Sequence, residues 1–224
     1  MRTTESGWIC LQGRGDCGLW AWQGGNVYAL VWRVVPQHPE DKWGRRIVDF
    51  KSSDPRALRG FSAMLCKRLP LLMDDLNLNR QKRTVQVTIA LPARATQAQP
   101  DTPLYKLAKT LCDTLGGLNF RPGLLTKRAH RQLHNISDSQ ARDDEARKAE
   151  YACKPLEGPN PVVLVLDDSV TRGATFSGIR SAILRANQGA QVIPVALGKN
   201  VRQDDIGSNN DNDERFGDEE KFWE

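Results

Sequence analysis

The 224-residue chain carries 32 Lys and Arg against 27 Asp and Glu, and is 39% hydrophobic and 26% charged, a composition that suits one soluble domain with decoration or two small ones. Its longest apolar runs, "VYALVW" and "VVLVL", are far too short to span a bilayer. The opening "MRTTESGW" lacks the apolar core of a signal peptide, so no membrane association and a cytoplasmic location are the expectation.

Five scattered cysteines, at positions 10, 17, 66, 112 and 153, fit no disulfide framework and read as reduced thiols. Charge is unevenly placed. Residues 203–224 hold nine acids against Arg215 and Lys221, which leaves 30 bases against 18 acids in residues 1–202. A body this basic points to anionic ligands, either phosphorylated small molecules or nucleic acid.

Five of the six tryptophans lie in the first 43 residues. Within them, "LWAWQGGNVYALVWRVV" predicts two strands joined by a Gly-Gly-Asn turn. The tryptophans either fill a small β subdomain or stack on nucleic-acid bases. "SSDPRALRGFSAMLCKRL" predicts a helix capped by Asp54, opened by Pro55 and striped by Leu58, Phe61, Leu65 and Leu69. "VQVTIALP" (85–92) alternates as a strand. After a loop, "DTPLYKLAKTLCDTLGG" predicts a helix capped by Asp101 or Thr102, opened by Pro103, striped by Leu104, Leu107, Leu111 and Leu115, and stopped at Gly116.

A polar, charged span follows residue 126. His130 and His134 stand four apart there, a spacing that serves either a metal pair or a plain polar helix face. The run "VVLVL" (162–166) then predicts a strand covered on both faces, and a helix is expected from about Thr175 to Gly189, striped by Phe176, Ile179, Ile183 and Ala186. "QVIPVAL" predicts a last strand, with an edge or bulge at Pro194. Alternating strands and helices imply an α/β fold around a parallel sheet, which binds ligands beyond the carboxyl ends of its strands.

The strand 162–166 leads straight into Asp167 and Asp168 and then a Ser/Thr/Gly loop. Backbone amides of residues 171–175 are expected to converge at the helix N-terminus, where the dipole favours an anion. Gly173 permits the tight path, and the Thr171 and Thr175 hydroxyls add donors. Such a loop holds a phosphate, and the two carboxylates suit the hydroxyls of an attached sugar. A phosphorylated pentose satisfies both.

"VVLVLDDSVTRGATF" resembles the phosphoribosyl-pyrophosphate (PRPP) motif of type I phosphoribosyltransferases. The wider resemblance is to the ComF-like branch. "IVDFKSSDPRALRGF" is similar to that family's early "lKy" segment and following helix, "IALPARA…PLYKLAKTLCDTLG" to its strand, pyrophosphate loop and helix, and "LLTKRAHRQLHNISDSQAR" to its "R…Q…L…R" stretch. The resemblance implies a type I phosphoribosyltransferase core over residues 47–202, a small β-rich N-terminal hood over residues 1–46 and an acidic tail over residues 203–224.

Carried over residue by residue, the resemblance implies that Asp167 and Asp168 bind the ribose hydroxyls. Ser169, Thr171, Arg172, Gly173, Ala174 and Thr175 would surround the 5′-phosphate, and Arg94 would meet pyrophosphate. Lys127, Arg128 and Arg131 would belong to a mobile catalytic loop. Mg²⁺ would be met by Asp167 and Asp168 only indirectly, through ribose or water. The implied activity is a Mg²⁺-dependent transfer or hydrolysis of the phosphoribosyl group with pyrophosphate release.

Two departures qualify this. Only Cys10 and Cys17 stand where such chains begin with a zinc ribbon, and the family's "RGFNQ" is replaced by "QAQPDTPLYK". They leave open a non-catalytic alternative: a PRPP-sensing or DNA-associated accessory protein, in DNA uptake or as a companion to a retron-type defence system. A homodimer is a further implication of the resemblance. The tail, ending "DEEKFWE", has three readings: a docking peptide for a basic apolar groove on a partner, a nucleic-acid mimic folded over the body, or a solubilising segment.

Overall fold

The computed structural model describes residues 2–13, 18–22, 24–36, 41–78, 84–129, 149–158, 160–202 and 222–223. The expected helix starts are where the local chemistry places them. Asp54 accepts from the Ala57 amide at 2.8 Å, and Pro55 opens α2 (Pro55–Asp75). Pro103 opens α3 (Pro103–Thr114), which buries Leu104, Leu107 and Leu111. The Thr102 hydroxyl gives α3 no cap and instead donates to the Gln99 carbonyl at 2.8 Å.

Helix α2 runs on through Pro70 to Asp75, beyond the expected end near Leu69. An interior proline costs a helix about 3 kcal/mol. Leu69, Leu72 and Met73 continue the buried stripe across it, so packing on the core holds the helix together. A further helix, α1 (Lys42–Lys51), was not anticipated. Asp41 caps it, with one carboxylate oxygen accepting from the Gly44 amide and the other from the Val34 amide, both at 2.7 Å.

The strands are β1 (Arg2–Thr3), β2 (Ile9–Gln12), β3 (Asn26–Val34), β4 (Val85–Ile89), β5 (Leu118–Phe120), β6 (Leu125–Thr126), β7 (Ala152–Cys153), β8 (Val162–Val170) and β9 (Gln191–Val201). Seven of them form one sheet in the order β1-β2-β3-β9-β8-β4-β5, and β6 pairs with β7 separately. The two N-terminal pairings are antiparallel, and the other four in the large sheet are parallel. Parallel neighbours need crossovers, supplied by α3 between β4 and β5 and by α4 (Ala174–Ala186) between β8 and β9. Among the described residues this is a mixed α/β fold with a mostly parallel central sheet and four helices, none of them long and apolar enough to cross a membrane.

Several local expectations are corrected. The partner of β3 across its hairpin is β2, not the segment 19–22, which turns over the sheet end with Leu19 and Trp22 buried. Trp22 folds back, its Nε1 donating to the Gly25 carbonyl at 2.6 Å. Trp8, Trp22, Trp32 and Trp43 all enter one continuous core, whereas Trp20 is exposed. The junction expected between residues 46 and 47 falls inside α1, and β1–β3 belong to the same sheet as the later strands.

Pro194 lies in a central strand after all, opposite Val165. The register between β3 and β9 begins at Tyr28–Val195, one residue past the proline, so β9 is paired with β8 alone at Pro194.

Leu71 and Leu72 test the continuation past Pro70. Leu72 is fully buried and Leu71 is exposed. In urea unfolding, Leu72→Ala is expected to cost about 2–5 kcal/mol. Leu71→Ala should stay within about 0.5 kcal/mol.

Candidate functional site

The strand expected to stop at Leu166 continues to Val170. Acids have poor strand propensity, but the β9 ladder overrides it, pairing Asp167 with Ala196, Ser169 with Gly198 and Val170 with Lys199. On the other flank β4 ends at Ile89, opposite Leu166, and its last bond to β8 is from the Ala90 amide to the Leu166 carbonyl. Residues 167–170 therefore have a paired flank toward β9 and none toward β4. Both carboxylates stand at this step in the sheet.

The loop after β8 is only Thr171–Gly173. Gly173 caps α4 in the left-handed region, at φ +81°, where a side chain would be strained. A Cβ there would also meet the Trp22 Cβ at 2.8 Å. No side chain caps α4, so the amides of Ala174, Thr175 and Phe176 have no partner among the described residues. The rest of the loop is tied down from behind. The Ala21 amide donates to the Arg172 carbonyl at 3.0 Å. Asn200 Nδ2 donates to Thr171 Oγ1 at 2.6 Å, so that hydroxyl is engaged as an acceptor. Buried Lys199 donates from Nζ to the Thr171 carbonyl at 2.7 Å, setting an ammonium beneath the loop.

Lys51, the last residue of α1, completes the acidic end. Its Nζ lies 2.8 Å from Asp168 Oδ1 and 3.1 Å from Ser169 Oγ, and that hydroxyl donates to the same Asp168 oxygen at 2.8 Å. The approach depends on Gly198, because a Cβ at that point of β9 would meet Ile47 Cδ1 of α1 at 2.3 Å. Nothing in the segment "IVDFKSSD" itself marks Lys51 for this role. Its reach to Asp168 exists only once α1 lies on β9.

Asp167 differs from its neighbour. One of its oxygens accepts from the Asp168 amide at 2.8 Å. Burial, and secondly the Asp168 charge, push its carboxyl up to about 8, against the lowering effect of that amide and of Lys51. Tyr151 lies on the same side. Burial first, and then Asp167, hold its hydroxyl well above the usual phenol range, while the Leu91 backbone acts in the opposite sense. Lys127 packs over the Tyr151 ring, Nζ 5.9 Å from its centroid, and donates to the Ala93 carbonyl at 2.8 Å. Its backbone amide donates to Thr96, and burial lowers its ammonium to about 8. Lys127, Tyr151 and Asp167 thus link the loop after β4 to the acids.

The remaining expected residues fall as follows. Arg94 is exposed on the loop after β4. Arg128 is also exposed, and its Nε and a terminal nitrogen meet the Glu150 carboxylate at 3.1 and 3.3 Å. Arg131, His130, His134 and Cys17 lie outside the described residues, as do residues 203–221 of the tail. Cys10 is buried in β2. Among the described residues, three or more metal-ligating side chains nowhere cluster. Asp168 is matched by Lys51, and burial pushes Asp167 toward its protonated form. That donor set suits an indirect contact with a hard cation better than direct ligation.

Because Asp167 binds its proton more tightly folded than unfolded, it contributes stability that is complete below about 4 and lost as pH rises toward about 8. Denaturant midpoints measured between pH 4 and 9 should fall across that window for the wild type, and Asp167→Asn should flatten the fall. The chain matches no protein-family model and no curated protein.

Proposed function

We propose that this chain binds PRPP and works as a phosphoribosyltransferase-like enzyme, transferring or hydrolysing the phosphoribosyl group with release of pyrophosphate. The observation that carries the reading is the step at the end of β8. There, adjacent acids, with β4 already ended beside them, lie five residues before Gly173, which starts a helix with no side-chain cap. The ribose hydroxyls would donate to Asp167 and Asp168, and the 5′-phosphate would accept from the Ala174, Thr175 and Phe176 amides. Lys51 adds positive charge beside Asp168, and the buried Lys199 adds it at the Thr171 carbonyl.

The bond that breaks is from C1′ to the pyrophosphate oxygen, and an acceptor or water forms the new bond at C1′. Positive charge develops on the sugar as pyrophosphate leaves. The paired acids beneath the ribose stabilise that charge. Bound Mg²⁺ would neutralise the departing pyrophosphate. Its protein contacts would be limited to Asp167 and Asp168 through ribose or water. Lys127 and Arg94 stand on or against the loop after β4, where the resemblance puts the pyrophosphate. Since Asp167 holds a proton near neutrality and must ionise to accept from both hydroxyls, ligand binding should release a proton below about pH 8.

A second reading, PRPP sensing or DNA-associated accessory work without turnover, draws on different observations. Arg128 is occupied by Glu150, and Lys127 by a backbone carbonyl. The loop after β4 lacks the family's usual continuation. Both readings expect PRPP to bind, and only the enzyme expects pyrophosphate.

Calorimetry with PRPP and Mg²⁺, run in two buffers of different ionisation enthalpy, should show saturable binding with proton release at pH 7. Pyrophosphate production, followed by a coupled assay, should fall by about 10²-fold or more in Asp168→Asn, the scale expected when a group aimed at developing charge is lost. Binding without pyrophosphate would leave the sensor reading standing. Absence of binding would remove both.

A further inference from the structure

The chain's last aromatic pair returns to the body, far in sequence from the acids of β8. Trp223 enters a slot between α1 and α2. Its ring meets Phe61 edge-on at 5.0 Å and Trp43 at 5.8 Å. The Arg46 guanidinium lies against both indoles, 4.2 Å from the Trp223 centroid and 4.5 Å from that of Trp43. Phe222 sits beside Lys67, whose Nζ is 5.8 Å from its ring.

Gly60 forms the floor of the slot. A Cβ built on it would lie 2.7 Å from Trp223 Cδ2 and Cε3, and the three heavy atoms nearest that Cβ all belong to Trp223. A glycine at the sixth position of a 21-residue helix is a poor helix former, and here it vacates the volume that one indole fills. Charge agrees with shape. The segment before the aromatic pair reads "DEEK", while α2 exposes Arg56 and Arg59 on the turn before Gly60.

We propose that the α1–α2 slot is a peptide-docking site for a segment in which acids precede an adjacent Phe-Trp pair, with the chain's own Phe222–Trp223 as its resident, displaceable ligand. The tip is held by ring contacts and by Arg46. Its indole Nε1 is buried with no acceptor among the described residues, so seating the ring leaves its one polar group unsatisfied and weakens the hold. Covalent attachment gives the resident tip a local concentration that any free peptide must exceed. The docking-peptide reading of the tail puts its groove on a partner, whereas this slot lies on the same molecule. It does not depend on PRPP binding, since none of its residues belongs to the sugar-phosphate site.

Full-length protein with Trp223→Ala leaves the slot vacant and serves as the receptor. A fluorescein-labelled peptide of residues 218–224, followed by anisotropy, should bind it saturably. Binding should be at least about tenfold weaker to the wild type, whose tethered tip competes. It should also be lost when Arg46→Ala or Gly60→Leu is added to Trp223→Ala. Gly60→Ala gives a readout free of folding failure. It should raise Tm in the Trp223→Ala background, where the new methyl has room and favours the helix. In the wild type it should lower Tm by evicting the tip. Equal peptide binding to wild type and Trp223→Ala, no binding to either, or the same sign of Tm shift in both backgrounds would overturn the proposal. So would a concentration-dependent dimer that Trp223→Ala abolishes, since the tip would then sit in a second copy.

Discussion

Two carboxylates on consecutive residues of a strand cannot both be charged, half-buried and unanswered. Here the conflict is resolved by dividing the pair. Asp168 is paired with Lys51 and the Ser169 hydroxyl, while burial and the neighbouring carboxylate push Asp167 up to about 8. That division depends on β8 outrunning β4, which leaves the acids beside β9 alone, and on Gly198 letting α1 approach near enough to deliver Lys51. The uncapped start of α4, three residues beyond the strand, is then an electropositive counterpart to the acids. A ligand that is an alcohol at one end and a phosphate at the other matches the two halves.

The scaffold around this step is rigid where the site needs it. Lys199 and Asn200 of β9 fix Thr171 from below, and Ala21 fixes the Arg172 carbonyl from the side. These contacts consume the loop's carbonyls and one hydroxyl, and leave the amides of α4 pointing to whatever occupies the site. Tyr151 and Lys127 form the opposite wall and connect it to the loop after β4. The N-terminal strands are no separate appendage to this arrangement. Leu19 and Trp22 press directly on the glycine that starts α4.

What was legible in the sequence was local. Asp54-Pro55 and Pro103 announce helix starts because capping and fixed φ are properties of neighbouring residues, and the glycine after the acid pair announces the start of α4 for the same reason. What was not legible required partners distant in the chain. The last four residues of β8 and the Gly198–Val201 end of β9 are strand only because they pair with each other and with β3, so polar composition hid them. Lys51, Tyr151 and Lys199 carry no motif of their own and acquire their places from packing. Trp223 reads as an exposed terminal residue until α1 and α2 offer it a slot.

The central claim is that one ligand spans the acids and the α4 amides. Amide and carboxyl NMR during titration with ribose 5-phosphate tests it without relying on turnover. The account predicts concerted, saturable shifts at the Ala174, Thr175 and Phe176 amides and at the Asp167 and Asp168 side-chain carbons, with the Asp167 titration moving below about 8. Shifts confined to other surfaces, or phosphate-end shifts equally produced by inorganic phosphate with the two carboxyl groups unmoved, would contradict it.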